Sequence, residues 1–302
     1  MIDFTDMPKR NKFYAGANGS KISVIYNEEQ YMLKFPAQAA KNQEMSYSNS
    51  CISEYLGCKI FESVGIPVQE TILGTYTTKK GGKKIVVACK DFTSPGVVLQ
   101  DFASLKNQII DSERNGYGTD LEDIISVFME QTAMDPVHIS ERFWDMFIVD
   151  ALIGNWDRHN GNWGFLYDTR EDSLVLAPVF DCGSSLYPQA DEEMIERVLG
   201  NTQEIHHRIF NIPVSAIQFR GKKINYYEFI SGLENKECNR ALKRLVPRIN
   251  MKKIEKIVDE TPFINDKQRL FYKTMLSARM ERILEFSFTR LCKREQKQDI
   301  VR

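Results

Sequence analysis

The stretch GNWDRHNGNWGF, residues 154–165, decides how the rest of this sequence is interpreted. It places three asparagines, an aspartate, an arginine and a histidine within twelve residues, directly after the apolar run FIVDALI. Asn and Asp side chains can satisfy the backbone of an ordinary polar loop. Such loops seldom carry Arg, His and Trp as well, so this stretch indicates a loop that does chemistry.

The composition describes a well-packed chain with balanced charge. It has 302 residues, of which 42% are hydrophobic and 11% aromatic, and the formal net charge is -1. This length is sufficient for one large domain or for two lobes with a core. The balanced charge argues against a general nucleic-acid binder.

Cysteines, histidines and apolar runs exclude further classes of protein. The six cysteines are scattered without a CxxC pair, which favours reduced thiols over a disulfide framework. None of the four histidines lies in an HExxH pattern, which argues against a zinc enzyme. No apolar run is long enough to cross a bilayer, and the first residues lack the apolar core of a signal peptide. We therefore expect a cytoplasmic protein, although one secreted or translocated without a cleaved signal would look the same.

The chain divides into a β-rich first part and a helical second part. KISVIYN and QYMLKFP are typical of a hairpin, and TILGTYTT and KIVVACKDF of two more strands, with one helix between the pairs. After Pro95 the periodicity is helical, and it stays mostly helical beyond Tyr187. We predict a small lobe over residues 1–95 and a larger helical lobe over residues 96–302, with a ligand site where they meet.

A glycine-containing turn, AGANGSK, precedes the first strand of the hairpin. Small residues let the backbone approach a ligand and direct its N–H groups at phosphate oxygens. An ordinary turn uses Gly and Asn for the same backbone reasons, so the motif alone is weak. The residues that it offers for nucleotide binding are Gly16, Ala17, Asn18, Gly19, Ser20 and Lys21.

Lys34 lies in the apolar strand MLKF. Taken alone, it would be a lysine on the solvent-facing side of a strand. A strand lysine that follows a glycine loop is also where protein kinases hold the phosphates of ATP, and there it needs an acidic partner. Glu54, on the next predicted helix, is the candidate partner; the alternative is an ordinary surface charge.

Within the opening stretch, the polar residues have the spacing of a protein-kinase catalytic loop. Asp157 is suited to accept or orient the proton of a hydroxyl group. Asn162 follows with the Asp-x4-Asn spacing and offers a neutral oxygen ligand for Mg²⁺. Arg158 and His159 are suited to orient the aspartate or to bind phosphate.

A second metal ligand is predicted at Asp181, in LAPVFDCGSSLY. The D-C-G tripeptide parallels the D-F-G metal aspartate of kinases, although an aspartate at a strand end can simply begin a turn. The strands WGFLYD and LVLAPVF lie between Asn162 and Asp181, which would bring both residues to one end of a hairpin. A carboxylate ~5 Å from a triphosphate is repelled by roughly 3 kcal/mol per phosphate charge at an effective dielectric of about 20, so such a site needs cations.

In this order the motifs resemble the HipA-type serine/threonine kinases, and within that family the compact, single-module branch. The similarity covers residues 13–187, including the hinge segment VVACKDF and the helix start in LQDFASL. The catalytic N-x-D-R-H-x-x-N pattern is its most specific part, and it is matched by Asn155, Asp157, Arg158, His159 and Asn162.

The resemblance implies an α+β, bilobal protein-kinase-like fold and an ATP- and Mg²⁺-dependent serine/threonine protein kinase. It implies that Asp157 acts at the acceptor hydroxyl and that Asn162 and Asp181 hold Mg²⁺. It also implies that Lys34, positioned by Glu54, binds the phosphates.

The resemblance further implies a hinge near residues 87–92 that binds adenine. The backbone groups expected to contact adenine belong to Val87, Ala88, Cys89 and Lys90. Members of the family can phosphorylate their own glycine loop, which makes Ser20 the expected site, with Ser23 and residues 46–50 as neighbouring acceptors. A toxin or a translocated effector is the biological role that the resemblance suggests.

The acceptor and the partners are less constrained. DRHNGN is equally similar to the loop of phosphoinositide kinases, so a lipid or small-molecule kinase stays open beside the protein kinase. A nucleotide-binding pseudokinase is the third alternative. The expected partner is a protein substrate with a Ser or Thr acceptor, and nucleic acid is not expected. Since no separate N-terminal subdomain precedes the glycine loop, an antitoxin partner is not expected either.

Overall fold

The structure, a computed structural model, describes residues 2–12, 14, 21–36, 48–110 and 115–301, with the backbone alone at 299–301. The glycine turn with the predicted ligands Gly16, Ala17, Asn18, Gly19 and Ser20 lies outside these residues, so its role stays a prediction.

A six-stranded sheet forms the first part of the chain. Its strands are β1 (Ile2–Asp3), β2 (Lys9–Arg10), β3 (Lys21–Tyr26), β4 (Glu29–Lys34), β5 (Thr71–Thr77) and β6 (Lys83–Lys90). Their order is β1-β5-β6-β4-β3-β2, and every pair is antiparallel except β1 with β5. The predicted hairpin is confirmed as β3–β4. Its two central residues, Asn27 and Glu28, both have positive φ (49° and 67°), as a type I′ turn requires.

The alternation of side chains along β4 determines where Lys34 points. Leu33 is buried in a small apolar cluster with Phe4 and Val24 on the outer face of the sheet. Met32 packs against the main core, on the opposite face. Since alternate residues of a strand share a face, Lys34 lies on the side of Met32 and faces the protein interior.

One helix, α1 (Ser50–Ser63), covers this inner face of the sheet. Four apolar residues with helical spacing along α1 are all buried in the main core, namely Ile52, Leu56, Ile60 and Phe61. The same helix also contacts helices of the second part of the chain. It therefore lies between the sheet and the helical region.

A three-stranded sheet and three helices surround the catalytic-loop sequence. The strands are β7 (Val97–Asp101), β8 (Gly164–Asp168) and β9 (Ser173–Leu176), and the helices are α2 (Phe102–Ile109), α3 (Leu121–Glu130) and α4 (Pro136–Ile153). The hairpin β8–β9 confirms the predicted strand pair. The strand β7 was not predicted. The predicted helix start at DF is confirmed, because the Asp101 side chain caps α2 by accepting the N–H of Ser104 at 2.8 Å.

The remainder of the chain is mostly helical, as predicted. Its helices are α5 (Glu192–Leu199), α6 (Thr202–Phe210), α7 (Tyr226–Gly232), α8 (Lys236–Leu245), α9 (Met251–Glu260), α10 (Asp266–Arg279) and α11 (Phe286–Val301), with a 3-10 turn (Val246–Arg248) and a π-helical segment (Met280–Glu285). The prediction missed one hairpin, β10 (Val214–Phe219) with β11 (Lys222–Asn225). Among the described residues, no helix is both long and apolar enough to span a bilayer.

The core extends from α1 through α4 to α10, with α4 at its centre. Trp163, one of the two tryptophans in the opening stretch, is 2% exposed and stacks on Phe102 with 4.3 Å between ring centroids. It also packs against Phe143 of α4. The tryptophan thereby anchors the polar loop to the apolar core.

Candidate active site

Lys34 lies at the end of β4 with its ammonium group between two carboxylates. The Nζ atom is 2.9 Å from Glu54 Oε2 and 3.0 Å from Asp181 Oδ1. Burial alone would lower the pKa of Lys34, but the charges of Asp181 and Glu54 outweigh burial and hold that pKa well above its usual value. Three residues predicted from separate motifs, 147 positions apart at the extremes, thus meet at one charged group.

Lys21 begins β3 and is paired with Lys34 across the β3–β4 hairpin. Burial and the positive charge of Lys34 lower the pKa of Lys21, while Asp181 and Glu54 oppose this effect. The last residue of the glycine turn is therefore close to the same charged cluster.

Glu54 links α1 to the segment that follows β9. It is 1% exposed, so it is not an ordinary surface charge. While Oε2 binds Lys34, Oε1 accepts the backbone N–H of Cys182 at 3.1 Å. Gly183 passes so close that a Cβ atom there would lie 3.0 Å from Glu54 Oε2. A side chain at Gly183 would therefore crowd the ion pair.

Gly57 lets α1 approach this segment. A Cβ atom at Gly57 would lie 2.6 Å from Cys182 Cβ and 3.1 Å from Ser185 Oγ. We expect Gly57→Ala to lower the free energy of unfolding by roughly 1–3 kcal/mol, because a well-packed contact cannot admit an extra methyl group. Urea denaturation would measure the change.

Gly232 provides the control for that substitution, because a Cβ atom there would meet nothing within 4 Å. We expect Gly232→Ala to leave the free energy of unfolding unchanged or to raise it slightly. If Gly57→Ala stabilised the protein by roughly 0.5–1 kcal/mol, as the substitution does in an ordinary helix interior, the proposed close contact would be wrong.

The catalytic-loop sequence begins where α4 ends. Gly154 adopts a left-handed φ of 63° and terminates the helix. The Asn155 side chain then bridges the turn, because Nδ2 donates to Asp150 Oδ1 at 3.0 Å and Oδ1 accepts the N–H of Asp157 at 3.0 Å. The position of Asp157 is thus fixed through its own backbone.

Asp157 presents a half-buried carboxylate beyond this turn. Its Oδ2 atom is 3.5 Å from Ser184 Oγ, the one side-chain hydroxyl within that distance among the described residues. Burial raises the pKa of Asp157, His159 opposes the increase, and the charge of Asp181 adds to it. The two aspartates therefore influence each other electrostatically.

Arg158 is buried, and its guanidinium group joins the two ends of the β8–β9 hairpin. It is 4% exposed, and Nε is 3.0 Å from Asp150 Oδ2. Burial alone would lower the pKa of Arg158, but Asp150 outweighs burial and holds that pKa well above its usual value. The same group donates to the backbone carbonyls of Asn162, Phe180 and Asp181. These contacts hold the loop that carries Asp157, and the two roles predicted for Arg158, orienting the aspartate and binding phosphate, stay predictions.

Asn162 and Asp181 lie at the same end of the hairpin, as predicted, because Arg158 binds both of their carbonyls. The Asn162 amide donates to the carbonyl of Asp157 at 2.8 Å, while its Oδ1 atom accepts no hydrogen bond from the described residues. Asp181 has a left-handed φ of 58°, which is uncommon for a residue other than glycine. Its side chain is 40% exposed, and partial burial would raise the pKa of Asp181, but Lys34 outweighs this and lowers that pKa.

His159 and Asn160 connect the loop to residues 115–120. His159 Nδ1 accepts the N–H of Gly161 at 3.0 Å, and its ring meets the edge of Tyr117 at 6.2 Å between centroids. The buried Asn160 amide donates to the carbonyls of Gly116 and Gly118, both at 2.8 Å. Asn160, for which no role was predicted, thus connects the catalytic loop to residues 116–118.

The predicted adenine contacts fall inside the six-stranded sheet. Val87, Ala88 and Cys89 pair with β4 on one side and β5 on the other, which directs their backbone groups to those strands. The N–H of Lys90 donates to the carbonyl of Glu70 at 2.9 Å. The pairing continues at Asp91, whose N–H donates to the carbonyl of Gln30 at 2.8 Å, so the adenine contacts of residues 87–90 stay a prediction.

Three residues that support the loop were not predicted. Asp150 is 1% exposed, and its position as the one carboxylate in FIVDALI was the available signal. Tyr226 donates its hydroxyl to the carbonyl of Asn155 at 2.6 Å. Arg279 is also 1% exposed, donates to the carbonyl of Ala151 at 2.6 Å, and lies over the Tyr226 ring. Neither Tyr226 nor Arg279 lies in a recognisable motif.

Comparisons with known proteins agree with this geometry. A sequence model of the HipA-like C-terminal domain matches residues 10–261. Serine/threonine-protein kinase CtkA of Helicobacter pylori is 48% identical over 293 residues, which cover 96% of this chain and 88% of the relative. The crystal structure of an H. pylori proinflammatory kinase CtkA superposes with a TM-score of 0.91 at 47% identity, covering 97% of this chain and 98% of that chain.

A more distant solved structure shows the same fold. The match is to the toxin–antitoxin complex of HipA, HipB and operator DNA from Shewanella oneidensis MR-1. Its TM-score is 0.56 at 17% identity, covering 93% of this chain and 66% of that chain. The α+β, protein-kinase-like fold class predicted from the sequence is confirmed.

Proposed function

This chain belongs to the HipA-like family, and from that membership we infer that it is a serine/threonine protein kinase. The family resemblance drawn from the catalytic loop is thereby confirmed. The observation that carries the proposal is the meeting of Lys34, Glu54 and Asp181 next to the loop of Asp157 and Asn162. These residue types perform phosphoryl transfer when they share one site.

Kinases of this class use ATP and Mg²⁺, and the residues at the hairpin end fit a magnesium ion. Mg²⁺ in such sites is held by one or two protein oxygens together with phosphate oxygens. Asp181 binds Lys34 through Oδ1 and keeps its partly exposed Oδ2, and the Asn162 amide oxygen accepts no hydrogen bond from the described residues. We propose these two oxygens as the protein ligands. The bound ion would neutralise charge on the phosphates.

Lys34 and Glu54 would hold the nucleotide phosphates. Lys34 is positively charged at neutral pH. Its ion pair with Glu54 of α1 holds the ammonium group in a fixed position. The amides of the glycine turn and Lys21 would add donors to the same phosphates. The placement of the glycine turn over ATP is a proposal drawn from its sequence and from the start of β3 at Lys21.

Asp157 would act at the acceptor. A carboxylate with a raised pKa that is reachable from solvent is suited to accept or orient the proton of a serine or threonine hydroxyl. Asn155 positions it through the Asp157 backbone, and His159 holds the following turn. The position and ionisation of Asp157 are what this chain contributes to the acceptor side.

We propose that the chain is organised as two lobes, residues 1–95 and residues 96–302. The boundary falls in the connection between β6 and β7. Adenine contacts by the backbone of residues 87–90, at the end of the small lobe, are proposed from the family resemblance. Autophosphorylation, with Ser20 as the expected site, and a toxin or effector role remain predictions from the family resemblance.

Intact-mass spectrometry after incubation of the purified chain with ATP and Mg²⁺ tests the proposal. We expect the wild type to gain one or more phosphoryl groups, and Asp157→Ala to gain none. Phosphopeptide mapping would then locate the acceptor, and a site other than Ser20 would reject that assignment. A wild type that binds ATP but phosphorylates neither itself nor any serine or threonine peptide would refute the kinase proposal and favour a lipid or small-molecule acceptor.

A further inference from the structure

A rigid loop adjoins the catalytic loop on the side of His159. Its residues 116 and 118 accept hydrogen bonds from the buried Asn160, and the buried Lys106 also donates to the carbonyl of Gly118 at 2.7 Å. Gly116 has a φ of 77°, and a Cβ atom there would lie 1.8 Å from the carbonyl oxygen of Ala103. The loop therefore has little freedom to move relative to the active site.

This loop carries an exposed aromatic side chain beside the catalytic residues. Tyr117 is 54% exposed, although its ring touches His159 edge to face. A Cβ atom at Gly161 would lie 3.0 Å from both rings, so the catalytic loop passes directly beneath them. An exposed tyrosine that is held in place next to a reaction site is suited to contact an incoming substrate.

The hairpin β10–β11 is attached to the other end of the same loop. Thr119 Oγ1 donates to the carbonyl of Ala216 at 2.8 Å, and the N–H of Gln218 donates to the carbonyl of Thr119 at 2.8 Å. An isolated parallel bridge also joins Asp120 to Gln218. The hairpin and the active site are thus tied through residues 116–120.

The tip of this hairpin is strongly basic. Arg220, Gly221, Lys222 and Lys223 are all exposed, and the first two adopt left-handed φ angles of 52° and 76°. The Arg220 guanidinium lies over the Phe219 ring at 4.8 Å. Within the described part of the chain, none of these three cations has a carboxylate partner. Three exposed positive charges therefore stand uncompensated at the tip.

The tip lies within reach of a substrate bound at Asp157. From Tyr117 to Arg220 the path is two residues to Thr119, one hydrogen-bonded step to Gln218, and two residues to Arg220. Extended chain geometry limits that path to roughly 20 Å. An extended peptide covers this distance in roughly six residues.

We propose that Tyr117 and the hairpin tip form the surface that selects the protein substrate, and that the substrate carries an acidic segment several residues from its acceptor. This proposal rests on the kinase function inferred above. Acidic side chains complement the three cations, while Tyr117 contacts the peptide between the tip and the acceptor. Complementary charge of this kind directs which partner binds and how fast.

The same surface does not suit a lipid bilayer. Binding in a membrane interface combines basic residues with large apolar side chains that insert. Among the described residues with large exposed apolar side chains, none lies between Gln218 and Ile224. The cations at the tip therefore favour an acidic protein segment over anionic lipid.

Fluorescence polarisation of labelled peptides tests the inference directly. The acidic peptide has a central serine and a run of glutamates about six residues away. The neutral control peptide has the same sequence with glutamine in place of each glutamate. We expect the acidic peptide to bind the wild type more tightly, and binding to weaken as salt is added. The variant Lys222→Glu/Lys223→Glu should weaken binding of the acidic peptide roughly tenfold, because each of two exposed attractions becomes a repulsion.

Lys79→Glu/Lys80→Glu is the matched control. These two exposed lysines precede Gly81 and Gly82 in the turn between β5 and β6, and among the described residues no hydrogen bond or ion pair joins them to the catalytic loop. We expect this variant to bind the acidic peptide as the wild type does. Equal binding of both peptides to the wild type, or equal losses in the two charge-reversed variants, would overturn the inference.

Kinetics separate this inference from the kinase proposal. We expect Lys222→Glu/Lys223→Glu to raise KM for the acidic peptide while kcat and the intact-mass gain with ATP stay unchanged. Transfer to both peptides with equal KM would reject the acidic-segment inference and leave the kinase function standing. Tip-dependent binding without transfer to any acceptor would reject the kinase function, and with it the substrate role of the tip, while the tip would stand only as a binding site for an acidic segment. Tip-dependent binding to phosphatidylserine vesicles, with none to the acidic peptide, would also overturn the inference.

Discussion

Replacing Asp157 by asparagine will lower the rate of phosphoryl transfer by about 100- to 10,000-fold, the range that a positioned general base contributes. Asparagine keeps the shape of the side chain but cannot accept the proton of the acceptor hydroxyl. The backbone N–H of residue 157 will still donate to Asn155, so the loop should keep its geometry. Nucleotide affinity should be unchanged, because Lys34 and Asp181 are intact.

Steady-state kinetics with a serine peptide would measure this loss, and binding of a fluorescent ATP analogue would check the nucleotide site. Asp168→Asn is a suitable control, because Asp168 lies at the far end of β8 and, among the described residues, its carboxylate bonds only to Arg170 and Glu171. If Asp157→Asn kept half of the wild-type rate, the role proposed for Asp157 would be wrong.

Replacing Asp150 by alanine will lower the free energy of unfolding by about 3–5 kcal/mol, because it leaves the buried Arg158 charge without its carboxylate. Burial of both partners is nearly complete, with side-chain exposures of 5% for Arg158 and 1% for Asp150. The substitution also removes the acceptor for Asn155 Nδ2. We therefore expect catalytic activity to be lost together with stability.

A double variant distinguishes the two effects. In Asp150→Leu/Arg158→Met the buried charges are replaced by apolar side chains, which is often neutral or stabilising. We expect chemical denaturation to show a smaller loss of stability than in Asp150→Ala, because no buried charge is left unpaired. The loss is not zero, because Asn155 Nδ2 lacks its acceptor and the carbonyls of Asn162 and Asp181 lack their donor, and for the same reason transfer stays low. Loss of the exposed pair in Glu260→Gln should cost less than about 1 kcal/mol. Full stability in Asp150→Ala would refute the importance of the buried pair.

The sequence was sufficient to predict the centre of the site, because several residue types had to occur in a fixed order. Asp157 and Asn162 lie five positions apart, and the hairpin that joins Asn162 to Asp181 could be predicted from its two strands. The capping residue Asp101 likewise marked the start of α2. Each of these signals is local in the chain.

The features that were missed depend on tertiary contacts. In β10, Ser215, Ala216 and Ile217 are all buried, so the strand lacks the alternation that identifies a half-exposed strand. The ion pair of Arg158 with Asp150 could not be predicted from the sequence, because it depends on the burial of both side chains. Residues 87–90 matched the hinge of the family, but their pairing on both sides becomes visible only in the assembled sheet.

The hydroxyl of Tyr226 and the guanidinium of Arg279 bear on how this enzyme can change over evolutionary time. Every residue proposed to touch ATP, metal or the acceptor hydroxyl lies between residues 16 and 181, yet the carbonyls of Asn155 and Ala151 are bonded by groups far downstream. The C-terminal helices are therefore not an exchangeable appendage. A chimaera that inherits the catalytic motifs from one parent and these helices from another must inherit a compatible tyrosine and arginine with them.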